Sequence, residues 1–231
     1  MKPSARPSRR TRYVSALLFA IVGMATSSQG AAQSPTHPAL NAQLLVAARQ
    51  NDLAEVRSIL ARGAAVDSRN RLGKTALLLA SEKGNDLLAE VLIAAGADVN
   101  KASLEGVTPL MAAAYHGNPD LVRRLLKAGA RMDPVDRMHK PAAVYAAGQG
   151  HAAAVLALLD AGLDVNATYE HQLTMLMWAS GQGHEDVARL LLARGARLEM
   201  RDDRGLTATD MATMAGHQAP AAAAASGSDS R

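Results

Sequence analysis

The sequence predicts an all-α fold, an α-solenoid of about six stacked two-helix units. Three observations carry that expectation. Glycine recurs every 33 residues at Gly63, Gly96, Gly129, Gly162 and Gly195, and a second series runs Gly84, Gly117, Gly150, Gly183 and Gly216. Paired aliphatics keep the same period at Ile59-Leu60, Leu92-Ile93, Leu125-Leu126, Leu158-Leu159 and Leu191-Leu192. Alanine recurs at Ala47, Ala80, Ala113, Ala146, Ala179 and Ala212, each followed by a small residue. One residue type at a fixed period means one contact remade between neighbours in a stack. Small residues in register let successive first helices approach closely, while the aliphatic pairs fill the space between second helices.

The stretch from Gly106 to Ala130 defines the unit. Thr108 is a hydroxyl cap and Pro109 needs no amide donor in the first turn, so a helix starts there. Gly117 ends it in the left-handed conformation. Asn118-Pro119-Asp120 repeats the start signal with an acid in the first turn, and Gly129 closes the second helix. Such a pair cannot bury its own apolar faces, so it requires neighbours.

Taken in order, residues 41–69 form an N-terminal cap repeat that begins directly at its first helix, with Asn51 where later units have glycine. Residues 70–102, with Gly73-Lys-Thr-Ala-Leu77, and 103–135 are full repeats. Residues 136–168 are irregular: His139-Lys-Pro-Ala-Ala143 loses the glycine, the Thr cap and the core leucine, and Tyr145 is expected to fill the volume that Ala143 leaves empty. Residues 169–201 keep Thr174, with Gln172 for glycine and Trp178 in the column of Leu79, Ala112 and Tyr145. Residues 202–218 are a C-terminal cap with polar Thr209 and Asp210 on its outer side. Residues 33–40 read as a Pro-containing linker and 219–231 as a disordered Ala/Ser-rich tail.

The opening Gly106-Val-Thr-Pro-Leu110, the inter-helix Gly117-Asn118 and the closings Gly96-Ala-Asp-Val-Asn100 and Gly162-Leu-Asp-Val-Asn166 resemble the ankyrin repeat, over about residues 44–218. The resemblance makes 41–218 an ankyrin repeat domain. It implies β-turn fingers around Asp67–Leu72, Asn100–Glu105, Asp133–Met138, Asn166–His171 and Glu199–Arg204. It also implies a partner surface on the fingertips and the exposed flank of the first helices.

The first forty residues carry a different signal. Lys2, Arg6, Arg9, Arg10 and Arg12 precede a short apolar run from Val14 to Ala25, and Gly30-Ala31-Ala32 offers small residues at a cleavage spacing. Residues 1–32 therefore read as a signal peptide, with export to the periplasm, or secretion, as the expected destination. Arg12 stands where a twin-arginine signal usually has an apolar aromatic. These residues hold five of the 25 Lys and Arg and none of the 21 Asp and Glu. The rest of the chain is close to neutral, so nucleic acid is not an expected partner. No membrane span is expected after cleavage, and a monomer is expected. With no cysteine, disulfides, thiolate chemistry and Cys-ligated metals are excluded.

Catalytic motifs fail on context. Gly148-Gln-Gly-His-Ala-Ala153 follows a helix instead of a strand, so it is no dinucleotide loop. His184-Glu185 lacks the second histidine of a zincin helix, and Ser180 lacks the glycine of a nucleophile elbow. His151, His184 and His217 share one structural column at the second-helix start, where a ring can bond neighbouring backbone. His116, His139 and His171 lie off that pattern and are the candidates for an alternative reading as a metal-dependent hydrolase. Met111 and Met177 share a core column, whereas Met138 falls at a fingertip.

No catalytic residue, cofactor or metal is expected. The residues expected to bind a partner protein are Arg71, Leu72, Lys74, Leu104, Glu105, Val107, Tyr115, His116, Arg137, Met138, Lys140, Tyr169, Glu170, His171 and Leu173. Exposed Leu104, Tyr115, Met138, Tyr169 and Leu173 would be odd on a bare surface and ordinary at an interface. The expected function is a non-enzymatic interaction scaffold in the cell envelope, with a secreted effector binding a host or competitor protein as the alternative.

Overall fold

The computed structural model describes residues 37–221. The signal peptide expected at 1–32 and the residues after 221 lie outside them. Among the described residues eleven α-helices form five pairs and a further single helix. The pairs are α1 (Pro38–Gln50) with α2 (Leu53–Ala61), α3 (Ala76–Glu82) with α4 (Asp86–Ala94), and α5 (Pro109–Tyr115) with α6 (Pro119–Lys127). Then come α7 (Ala142–Gly148) with α8 (Ala152–Asp160), α9 (Met175–Gly181) with α10 (Glu185–Ala193), and finally α11 (Ala208–Met214). The linker expected over 33–40 gives way at Pro38, which takes the first turn of α1, where a missing amide donor costs nothing.

The repeated residues do the packing their period implies. Ala80, Ala113, Ala146, Ala179 and Ala212 are fully buried along the first helices, as are Ile59, Leu92, Leu125, Leu158 and Leu191 along the second. Helix starts follow the residue types. Thr75, Thr108, Thr174 and Thr207 each accept a bond from the amide three residues on, at 3.2, 3.2, 3.3 and 3.2 Å. In two of these caps a methionine completes the reciprocal contact: the amides of Thr108 and Thr174 donate to the sulfurs of Met111 and Met177 at 3.4 Å. Helix α7 starts at Pro141 with no side-chain cap, the loss its sequence predicts.

The second helices change their capping scheme halfway along the chain. Asp52, Asn85 and Asn118 cap their own helices, accepting from Glu55, Leu88 and Leu121 at 2.9, 2.9 and 3.0 Å. His151 and His184 make no such cap; their Nε2 atoms lie 2.9 Å from the carbonyl oxygens of Tyr115 and Gly148 in the preceding repeat. Each ring rests on the previous inter-helix glycine. A Cβ on Gly117, whose φ is +69°, would come within 2.3 Å of the His151 ring. That glycine is required for its conformation and for the space it leaves.

Tyr145 does not replace the missing leucine at 143. The two residues are two positions apart on a helix and cannot face the same way. The Tyr145 hydroxyl instead reaches the Asp136 carboxylate at the base of the preceding finger. Added bulk in the neighbouring repeat comes from Met175, fully buried where other repeats place Ala76, Pro109, Ala142 and Ala208.

Candidate functional site

Between helix pairs the chain makes five tight turns, and four of them are built by one device. The side-chain oxygen of the fourth finger residue accepts bonds from the amides two and four residues later. Asn70 holds Leu72 and Lys74 at 2.9 and 3.0 Å, and Ser103 holds Glu105 and Val107 at 3.3 and 3.2 Å. Asp136 holds Met138 and Lys140 at 2.9 and 3.0 Å, and Asp202 holds Arg204 and Leu206 at 2.9 and 2.8 Å. Short Asx and Ser side chains close turns in this way. The remaining position is Tyr169, whose ring cannot do so. That finger closes as a single 3-10 turn, Glu170–Gln172, with His171 and Gln172 both at positive φ.

Successive fingers are tied to each other. The amides of Leu104, Arg137 and Asp203 donate to the carbonyls of Leu72, Glu105 and His171 in the preceding finger at 3.0, 2.9 and 3.1 Å. Gly73 lets the next finger come this close, since a Cβ there would meet the Leu104 amide nitrogen at 2.8 Å. Between the third and fourth fingers a side-chain contact stands in that place, with His139 Nδ1 2.8 Å from Glu170 Oε1. His171 Nδ1 then lies 3.3 Å from Asp203 Oδ2. His139 and His171 thus face carboxylates, and His116 packs edge-on against Tyr115 at 5.2 Å. Among the described residues no group of three or more His, Asp or Glu could hold a metal ion.

The finger tips and first-helix flanks border a row of open recesses. One of about 290 Å³ lies between Val107, Met111, Tyr115 and Tyr145, and one of about 140 Å³ between Lys140, Tyr169, Leu173 and Trp178. A third, of about 380 Å³, is walled by Met177, Trp178, Leu206, Met211 and Met214. Leu72, Leu104, Tyr115 and Met138 stand exposed along this face at 60%, 63%, 45% and 61%. Arg71, Glu105, His116, Arg137, Glu170 and His171 are exposed beside them.

Five expected surface residues are less free than the sequence implies. Val107, Tyr169 and Leu173 are half-buried against the apolar core. The Tyr169 phenol is pushed up to about 12 by burial, with the Asp164 carboxylate acting the same way. Lys74 is held by Glu82 at 2.7 Å. Lys140 is half-buried with its ammonium 4.7 Å from the Trp178 ring centroid, a cation–π contact. Two features of this face are not evident from the sequence reading. One is the Met-lined recess around Trp178, signalled by Gly181 standing in the column of Glu82 and Tyr115. The other is the Asn70, Ser103, Asp136 and Asp202 column, whose 33-residue spacing was available.

A model of ankyrin repeats, in three copies, matches residues 44–136, 85–169 and 143–223, more than half of the chain. No curated protein matches it. The helix pairs, the linked fingers and this match together place the chain in the ankyrin repeat family, whose modules are protein–protein interaction domains.

Proposed function

We propose that this protein is a non-enzymatic scaffold of the cell envelope that binds a partner protein along its finger face. One observation carries the reading. Leu72, Leu104, Tyr115 and Met138 lie on consecutive fingers and the adjoining helix, each at least 45% exposed. Apolar side chains arrayed beside shallow recesses and charged fingertips are the composition of an interface centre with a polar rim. The basic residues from Lys2 to Arg12 and the apolar run after them support export and a periplasmic location. The protein acts as a monomer, since its repeated apolar columns are consumed in contacts within the chain.

A photo-crosslinking residue at position 115, compared with one at exposed Arg57 on α2, tests this. The expected result is one discrete crosslinked species from position 115 and none from position 57. Labelling from position 57 alone would move the binding surface to the second helices. Amino-terminal sequencing of the exported protein tests the location, with Gln33 as the expected first residue.

A further inference from the structure

The middle of the groove differs from its neighbours in how its aromatic ring is covered. In the fifth repeat the Trp178 ring has an internal cation, Lys140 from just past the finger of the preceding repeat, 4.7 Å away. The 33-residue period maps that pair onto Tyr145 and Val107 one repeat earlier. There the ring keeps its place, but a valine stands where the lysine would be. Tyr115 meets Tyr145 edge-on, with ring centroids 5.7 Å apart and planes at 78°. The two rings and Val107 border the open recess of about 290 Å³. Aromatic faces carry partial negative charge and attract cations.

Charged groups of both kinds stand near the recess: Glu82, with its partner Lys74, and His116 at its edge, and the Asp136 and Glu105 carboxylates acting on the Tyr145 ring. Burial pushes the Tyr145 phenol up, and the Asp136 and Glu105 carboxylates push it the same way. Glu82 is neutralised by Lys74 at 2.7 Å. Asp136 is occupied by the Tyr145 hydroxyl and two finger amides. Glu105 is exposed, and among the described residues no cation pairs with it, including Arg137 on the next fingertip.

We infer that this recess takes a basic side chain of the partner, arginine in preference to lysine, with the Tyr115 and Tyr145 rings as its bed and the Glu105 carboxylate as its counter-charge. A planar guanidinium can lie against a ring while its edge donates to a carboxylate, which an ammonium does less well. The external cation fills at Tyr145 the role that Lys140 fills at Trp178. The inference rests on the groove being the partner-binding surface and names the chemistry of what enters it.

The test uses the full chain with ring-labelled tyrosine, titrated with Gly-Gly-Arg-Gly-Gly and with the same peptide carrying lysine or neutral citrulline. The arginine peptide is expected to shift the Tyr115 and Tyr145 resonances saturably. The lysine peptide should bind more weakly, and the citrulline peptide about fivefold more weakly, the size of a ring–cation contact at a half-exposed site. Glu105→Gln, an exposed change that leaves the fold alone, should weaken the arginine peptide and reduce its salt dependence. Equal binding of arginine and citrulline peptides, or shifts confined to Tyr169, overturns the inference. If the peptides fail while groove substitutions still abolish partner capture, the basic side chain is ruled out and the groove stands. If both fail, the groove reading falls with it.

Discussion

The His151 imidazole lies against Gly117 of the preceding repeat, with its Nε2 2.9 Å from the carbonyl oxygen of Tyr115. This contact joins the structural spine to the proposed binding face, because Tyr115 ends the helix that borders the groove. It also separates two kinds of glycine that look alike in sequence. Gly117→Ala would drive a Cβ to 2.3 Å from the ring and strain a φ of +69°. Gly129→Ala has a φ of +91° but open space around its Cβ. Chemical denaturation should show Gly129→Ala costing about 1 kcal/mol and Gly117→Ala about 2–3 kcal/mol, the difference being the displaced histidine. Equal losses would mean the ring moves aside freely.

Asparagine staples join some repeats and not others. Asn166 accepts from the Arg197 amide at 2.9 Å and donates to the Gly195 carbonyl at 3.1 Å. Asn100 does the same with Arg131 and Gly129 at 2.8 and 3.0 Å. In the same column Asp133 turns back to Arg131 in its own loop, at 2.6 Å. Asn166→Ala should therefore cost about 1–2 kcal/mol, two hydrogen bonds between repeats. Asp133→Ala should leave stability unchanged, because it removes only a solvent-exposed pair. Thermal melts of the two variants make the comparison.

Much of this architecture was legible because a period states each contact several times. The Thr caps, the glycine turns and the histidine column all follow from residue types in register. Exposure at the finger base was less legible. Val107, Tyr169 and Leu173 occupy positions that a single unit leaves open, and in the stack they are half-buried against the core. Tyr145 was misread because volume lost at Ala143 suggested a neighbour in sequence, whereas helical geometry turns Tyr145 toward Asp136. The start of α1 was hidden because Pro35 and Pro38 read as linker, although proline is also a first-turn residue.

The C-terminal cap should be sensitive to acid. Asp210 accepts from the amide and the hydroxyl of Thr207, both at 2.8 Å, and these bonds hold its carboxyl below the usual carboxylate range. Its folded pKa is below its unfolded value, so its contribution is complete above about pH 4 and is lost as pH falls through the folded pKa. Melting temperatures of the wild-type protein and Asp210→Ala should differ at pH 6 and converge as the pH is lowered below about 4. A gap that stays constant over that range would contradict this assignment.

Partner capture compares the two faces of the stack most directly. Tyr115→Ala combined with Met138→Ala removes two exposed apolar side chains from the groove, and Leu87→Ala removes a comparable one, 65% exposed, from α4 on the other side. With helical content unchanged in both variants, the groove pair should weaken binding of the captured protein by at least about tenfold, or about 1.4 kcal/mol, and Leu87→Ala should leave it as it was. Retained affinity in the groove variant, or loss in Leu87→Ala alone, would show that this protein does not recognise its partner through its fingers and first helices.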